Sequence, residues 1–326
     1  MMSFSSISQA VRKFKTFIVA THVNPDPDAL ASQLAMAMYL KKQGKKVLVL
    51  AEDVVLERYA FLPGSKSIQK VNPEKIYAYD AAIVLDCGDL GRVGKVKAVL
   101  DSKKPLINID HHITNDSFGT INHVVAQASS TAEIVFEFLS AVQFKLDKNI
   151  AALLYLGVMT DTGSFRYENT TSRTHEVISK LLKFNLPVSE YYQRLYEAVP
   201  LSDIENFTKL ISRFHSSFDG KVIYIELKAA MLKKFSFSEE FDLRDKIFSY
   251  LRTIKGAEVF VIFTEQKRDK TRINLRSQTW VDVAALAAIF NGGGHCRASG
   301  CVIDGNIKTA REQIFAQLKK ILEEKK

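Results

Sequence analysis

Four groups of carboxylates and imidazoles follow apolar runs in the first half of the chain. They are His22 with Asp26 and Asp28, then Asp86, then Asp110-His111-His112, then Asp161. Crowded like charges repel. At ~4 Å and an effective dielectric of ~20, two carboxylates oppose each other by ~4 kcal/mol. Oxygen and imidazole donors without thiolates suit divalent metals, and two dications would neutralise four aspartates. A single Asp or His at a strand end is usually a cap or turn residue, so Asp86 or Asp161 alone would mean little. The spacing His22-xxx-Asp-x-Asp and the adjacent imidazoles after "LINI" mean more, and the four groups together mean most. His123, His175 and His215 lack such company and read as surface or structural.

These groups need elements that bring them together. "FKTFIVATH", "KKVLVLAE", "DAAIVLDCG" and "KPLINIDHH" read as strands. Helical spacing runs from Ala29 to Gln43, from a capping sequence at Ser130-Thr-Ala-Glu133 to about Leu139, and from Lys148 to Met159. Strands alternating with helices predict an α/β domain over 1–186, a parallel sheet with helices on both faces. In such sheets ligands bind outside the carboxyl ends of the strands, so the four groups are expected to converge. Residues 187–217 read as a helical connector. Residues 218–326 restart as a smaller mixed-sheet α/β domain in which "GGGHCRASG" reads as a loop. Consecutive glycines let backbone N–H groups approach an anion, and His295, Arg297 and Arg276 would add donors.

Composition bounds the rest. The 326 residues suffice for two domains. A net charge of +9 and a pI near 9.2 favour anionic partners. The N-terminus does not read as a signal peptide, and the longest apolar run falls short of a membrane span. Cys87, Cys296 and Cys301 form no CxxC pair, so a reduced, cytoplasmic setting is expected. Runs such as "KKQGKK" and the terminal "EEKK" read as solvated faces.

"HVNPDPDA", "VLDCGD", "NIDHHITN" and "GVMTDTGSF" resemble the four signatures of the DHH phosphoesterases, and "GGGHCRASG" resembles that of the DHH-associated C-terminal domain. The resemblance spans nearly the whole chain. Its two-domain length is similar to the branch of oligoribonucleases and 3′-phosphoadenosine-5′-phosphate phosphatases. It implies two Mn²⁺ ions, with Mg²⁺ as the alternative. His22 and Asp26 would hold one ion, Asp28, His111 and Asp161 the other, and Asp86 would bridge. Asp110 would orient an imidazole. His112 would face the scissile phosphate, either stabilising its charge or protonating the leaving oxygen. By two-metal logic, hydroxide generated near neutral pH attacks phosphorus in line. Pro27 stands where many members carry Gly. The second domain would grip substrate across an interdomain cleft through Arg276, Gly293, Gly294, His295, Arg297 and Ser299.

The substrate expected from the resemblance is short single-stranded RNA or a dinucleotide such as pApA, cut to mononucleotides, with phosphoadenosine phosphate as a second substrate. Cyclic di-AMP is the nearest alternative. Inorganic pyrophosphatase is weaker, because its Ser-Arg-Lys-Lys type motif is not found. A catalytically inactive nucleic-acid-binding module would be expected to have lost ligands. No membrane partner is expected, and monomer and homodimer both stand open.

Overall fold

A computed structural model describes residues 4–238, 241–267 and 269–323. The chain divides into two compact units, Met1–Glu197 and Ala198–Lys326. The terminal "EEKK" run lies outside the described residues from position 324 onward.

The first unit runs α1 (Ser5–Lys13), β1 (Thr16–Ala20), α2 (Pro27–Lys42), β2 (Lys46–Ala51), β3 (Ile68–Lys70), β4 (Ala81–Leu85), β5 (Leu106–Asp110), β6 (Ile121–Val124), α3 (Thr131–Ala141), α4 (Lys148–Asp161), α5 (Ser172–Leu181) and α6 (Val188–Tyr192). Among the described residues its sheet has six strands, in the order β3-β2-β1-β4-β5-β6, each pair parallel. The four predicted strands are its centre. Alternation along them fills two cores. Phe17, Val19, Ile83, Leu85, Ile107 and Ile109 face the helices α1–α5. Ile18, Ala20, Ala82 and Val84 face the opposite side, where Val93 and Val96 of a 3₁₀ segment (Leu90–Val99) cover them. The chain goes one way from β1 to β3 and returns to build β4 to β6, so strand order reverses between β1 and β4. A crevice is expected at the carboxyl ends of those two strands.

The second unit runs α7 (Leu201–Ile211), β7 (His215–Ser217), β8 (Val222–Leu227), α8 (Ala229–Lys234), α9 (Leu243–Leu251), β9 (Val259–Gln266), β10 (Lys270–Ser277), α10 (Val283–Ala288), β11 (Gly293–His295), β12 (Ala298–Asp304) and α11 (Ile307–Glu323). Its sheet is mixed, ordered β11-β12-β10-β9-β8-β7, with β8 and β9 parallel and the other pairs antiparallel. The stretch predicted as a connector is divided. Val188, Tyr191 and Leu195 pack on the first core, whereas Leu210 and Ile211 belong to a core of the second unit. No described helix is long and apolar enough to cross a membrane.

The "GGGHCRASG" segment is not a loop. Gly293–His295 pairs antiparallel with Ala298–Gly300. The glycines serve close packing within this hairpin. A Cβ at Gly292 would lie 2.3 Å from the Gly300 carbonyl oxygen and 2.5 Å from the Cys301 Cβ, whereas one at Gly293 would meet nothing within 4 Å. Gly292→Ala is therefore expected to destabilise the protein by ~1–3 kcal/mol, the usual range for overpacking, and Gly293→Ala to be close to neutral. Urea denaturation of the two variants checks this; equal midpoints would contradict it.

Candidate metal centre

His22 leaves the end of β1 and is 7% exposed. Its Nδ1 lies 2.8 Å from the Val23 carbonyl. A carbonyl only accepts, so Nδ1 carries a proton and Nε2 is the nitrogen that faces the carboxylates. Nε2 stands 3.6 Å from Asp86 Oδ2. His111 repeats the device. Its Nδ1 donates to the Ala128 carbonyl at 3.3 Å, and its Nε2 faces Asp86 Oδ1 at 3.6 Å and Asp161 Oδ2 at 3.3 Å. Anchoring one ring nitrogen on a carbonyl to aim the other is the common arrangement of metal-ligating histidines.

The four carboxylates come from three places. Asp26 caps α2, accepting the Ala29 N–H at 3.0 Å. Pro27 then occupies the first helical position, where its fixed φ fits and its missing N–H costs nothing. Asp28, in the first turn, is buried. Its Oδ2 accepts the Thr131 N–H at 2.8 Å and its Oδ1 the Ala132 N–H at 3.0 Å. Asp86 follows β4 with φ of 55°, a left-handed conformation that Asp tolerates better than most residues. Asp161 ends α4, where the helix dipole disfavours an anion.

Three sets of donor atoms each fall within 4.8 Å of one another: His22, Asp26 and Asp86; Asp28, His111 and Asp161; Asp86, His111 and His112. Asp86 belongs to two of these sets. The expected ligands therefore meet in one place, where β1, β4 and β5 end.

The residues present fit a pair of divalent cations. The donors are oxygens and imidazole nitrogens. Asp161 Oδ2 is buried with no hydrogen bond. The imidazoles of His22, His111 and His112 stand within 4.0 Å of Asp86, and that of His111 also within 4.0 Å of Asp161. Burial pushes the Asp28 carboxyl well above its ordinary range, and the charges of Asp86 and Asp161 push it further. Burial and then Asp26, Asp86 and Asp110 do the same to Asp161, and burial with Asp86 raises Asp26. Asp86 goes the other way. Burial opposes its charge, but hydrogen bonding to His22 and the charges of His111 and His112 outweigh burial and hold it well below the carboxylate range. Burial lowers His22, yet Asp86 and Asp26 raise it overall. His111 is likewise raised by Asp86, Asp28 and Asp110 against burial.

His112 stands apart from the other two imidazoles. Its Nδ1 lies 2.7 Å from Asp110 Oδ1. Burial would raise Asp110, but the His112 hydrogen bond and charge and the Asn115 hydrogen bond lower it. Ionised Asp110 can only accept, so Nδ1 donates. Asn115 fixes the assembly, donating to Asp110 Oδ2 at 2.6 Å, to Asn108 Oδ1 at 2.8 Å and to the Cys87 carbonyl at 3.1 Å. Asn115 lies inside "NIDHHITN" and Thr131 inside the capping sequence, and neither is among the site residues expected from the sequence. His123 is buried against Phe4, with ring centroids 4.3 Å apart.

In the second unit, Arg276 of β10 lies opposite Ala298 of β12, and its guanidinium stacks on Phe248 at 4.8 Å. Arg297 Nη1 donates to the Val281 carbonyl at 2.9 Å, and Ser299 Oγ donates to the His295 carbonyl at 2.8 Å. Arg297 and Ser299 thus brace the hairpin that carries Gly293, Gly294 and His295.

The shifts fix a pH dependence. In the metal-free protein the raised carboxyls and imidazoles bind protons more tightly folded than unfolded. Their stabilisation is present below the unfolded values and is lost as pH rises through the folded ones. Cations need the deprotonated site, so they bind more tightly over the same interval. The gain in Tm on adding Mn²⁺ to chelator-treated protein is expected to be larger at pH 8 than at pH 5. A gain that is equal or larger at pH 5 would contradict this charge assignment.

Comparison with known proteins agrees with this architecture. The DHH family, N-terminal domain, matches residues 16–158, and the DHHA1 domain matches residues 220–324. A Streptococcus mutans protein named probable bifunctional oligoribonuclease and PAP phosphatase NrnA is 29% identical, over 99% of this chain and all of its own. The Bacillus subtilis bifunctional oligoribonuclease and PAP phosphatase NrnA is 28% identical, over 92% and 93%. The crystal structure of an exopolyphosphatase-related protein from Bacteroides fragilis superposes with a TM-score of 0.90 at 26% identity, covering 97% of this chain and 95% of that one. The chain is a member of the DHH family of phosphoester hydrolases, its first unit carrying the family's N-terminal domain and its second a DHHA1 domain.

Proposed function

We propose that this chain is a Mn²⁺-dependent hydrolase that cuts short oligoribonucleotides, including pApA, to mononucleotides, and that it also removes the 3′-phosphate of 3′-phosphoadenosine-5′-phosphate. The observation that carries this reading is the end-to-end match to relatives whose names state both activities, on a chain whose expected ligands lie within reach of one another. Two imidazoles among the donors favour Mn²⁺ over Mg²⁺, which prefers an all-oxygen shell.

His22, Asp26 and Asp86 would hold one ion, and Asp28, His111, Asp161 and Asp86 the other. When bound, the pair supplies Lewis acidity, drawing charge from phosphoryl oxygens and lowering the pKa of water. His112 serves the substrate. Asp110 would hold its ring by accepting from Nδ1, and in the doubly protonated ring Nε2 would donate to the phosphoryl or leaving oxygen and stabilise developing charge. Arg276 and His295 would hold a phosphate or base of the nucleotide. β11 is the edge of its sheet among the described residues, and Gly293 leaves open space over its backbone, so that N–H groups there are accessible to an anion.

Product analysis with Mn²⁺ over pApA, longer oligoadenylates, phosphoadenosine phosphate, cyclic di-AMP and pyrophosphate tests the reading. AMP is expected from the short oligonucleotides and from phosphoadenosine phosphate. Turnover of pyrophosphate or cyclic di-AMP without turnover of pApA would overturn it. Losing a charge-assisted hydrogen bond costs ~1.5–3 kcal/mol, roughly 10- to 150-fold in kcat/KM. Arg276→Ala and His295→Ala are expected to lose about that on pApA and to keep bis(p-nitrophenyl) phosphate hydrolysis. Equal losses on both substrates would make the hairpin a structural support.

A further inference from the structure

Ser130, not Thr131, caps α3: its Oγ accepts the Glu133 N–H at 3.0 Å. The Thr131 hydroxyl is therefore not needed by the helix. It donates instead to Asp86 Oδ1 at 2.8 Å. The same residue's N–H, with that of Ala132, holds both oxygens of Asp28. Asp28 and Asp86 arrive from different parts of the fold, α2 and the end of β4, and their like charges repel. Thr131 is fully buried and its two hydrogen bonds to them leave little freedom. α4 closes the other side of this seat: a Cβ at Gly157 would lie 2.5 Å from both Asp28 Oδ1 and the Ala132 Cβ.

We propose that Thr131 is a positioning residue of the metal centre, setting the separation and orientation of Asp86 and Asp28 from the first turn of α3. This rests on the two-ion reading above. The hydroxyl occupies one lone pair of Asp86 Oδ1 and aims the remaining ones toward the side where His111 Nε2 stands at 3.6 Å. The bridging carboxylate is thereby kept from rotating out of register with Asp28. A buried hydroxyl that served packing alone would be replaceable by a methyl group. One that positions a ligand would not.

Thr131→Val keeps the shape, the methyl group and the N–H that holds Asp28, and removes only the donor to Asp86. Thr131→Ser keeps the donor and removes the methyl. Mn²⁺ affinity and stoichiometry of chelator-treated protein are measured by calorimetry, alongside kcat and KM on pApA. Thr131→Val is expected to bind Mn²⁺ ~10- to 100-fold more weakly, the usual effect of losing a partner of a metal ligand. Its kcat is expected to fall with KM little changed, and Thr131→Ser is expected to restore both. Circular dichroism checks the fold, and Thr131→Ala gives the same reading without added bulk should the valine variant fail to fold. Wild-type affinity and kcat in Thr131→Val, or a serine variant as impaired as the valine one, would overturn the role. A wild-type protein that binds no Mn²⁺ would instead overturn the two-ion reading on which it rests.

Discussion

Four carboxylates crowded into one place, Asp28 and Asp86 buried, Asp161 half-buried and Asp26 exposed, repel one another, and the first unit is organised around that repulsion. Asp26, Asp28, Asp86 and Asp161 arrive from the start of α2, the end of β4 and the end of α4. A folded chain tolerates them together only with positive charge among them. Backbone dipoles supply part of it. The N-termini of α2 and α3 face Asp26 and Asp28, where a helix favours anions. The imidazoles supply another part in the metal-free state. Asp161, at the wrong end of its helix and with a buried oxygen lacking a hydrogen bond, is the member most in need of a cation.

The strand order makes the site possible. Reversal between β1 and β4 leaves a crevice where His22 and Asp86 emerge side by side, and β5 adds the imidazole pair on the next strand. The three histidines differ in what each Nδ1 touches. A carbonyl behind His22 and His111 turns Nε2 toward the carboxylates. A carboxylate, itself held by Asn115, stands behind His112.

Much of this was legible in the sequence, because buried parallel strands are continuous apolar runs and the charged groups stand at their ends. β1, β2, β4 and β5 show themselves that way. β3 (IQK) and β6 (INHV) do not, being short edge-side strands with polar residues. The glycine hairpin was read as a loop because three glycines carry no side-chain period. Its pairing comes from contacts across β12 and not from local pattern. Asn115 and Thr131 were missed for a different reason. Thr131 acts through a partner far away in sequence, its N–H reaching Asp28 across 103 residues, and Asn115 joins Asp110, five residues back, to Cys87 on the preceding strand's loop; only the folded backbone reveals such bonds. The different roles expected of His111 and His112 come from the family resemblance alone; the structure adds that the acceptors behind their Nδ1 atoms differ, a carbonyl for His111 and a carboxylate for His112.

The central claim is that Asp86 stands between two cations. Anomalous diffraction from crystals grown with Mn²⁺ tests it most directly. Two peaks are expected per chain, one within ligating distance of Asp86 Oδ2 and His22 Nε2, the other within ligating distance of Asp86 Oδ1 and His111 Nε2. A single peak, or peaks that Asp86 does not touch, would contradict the account.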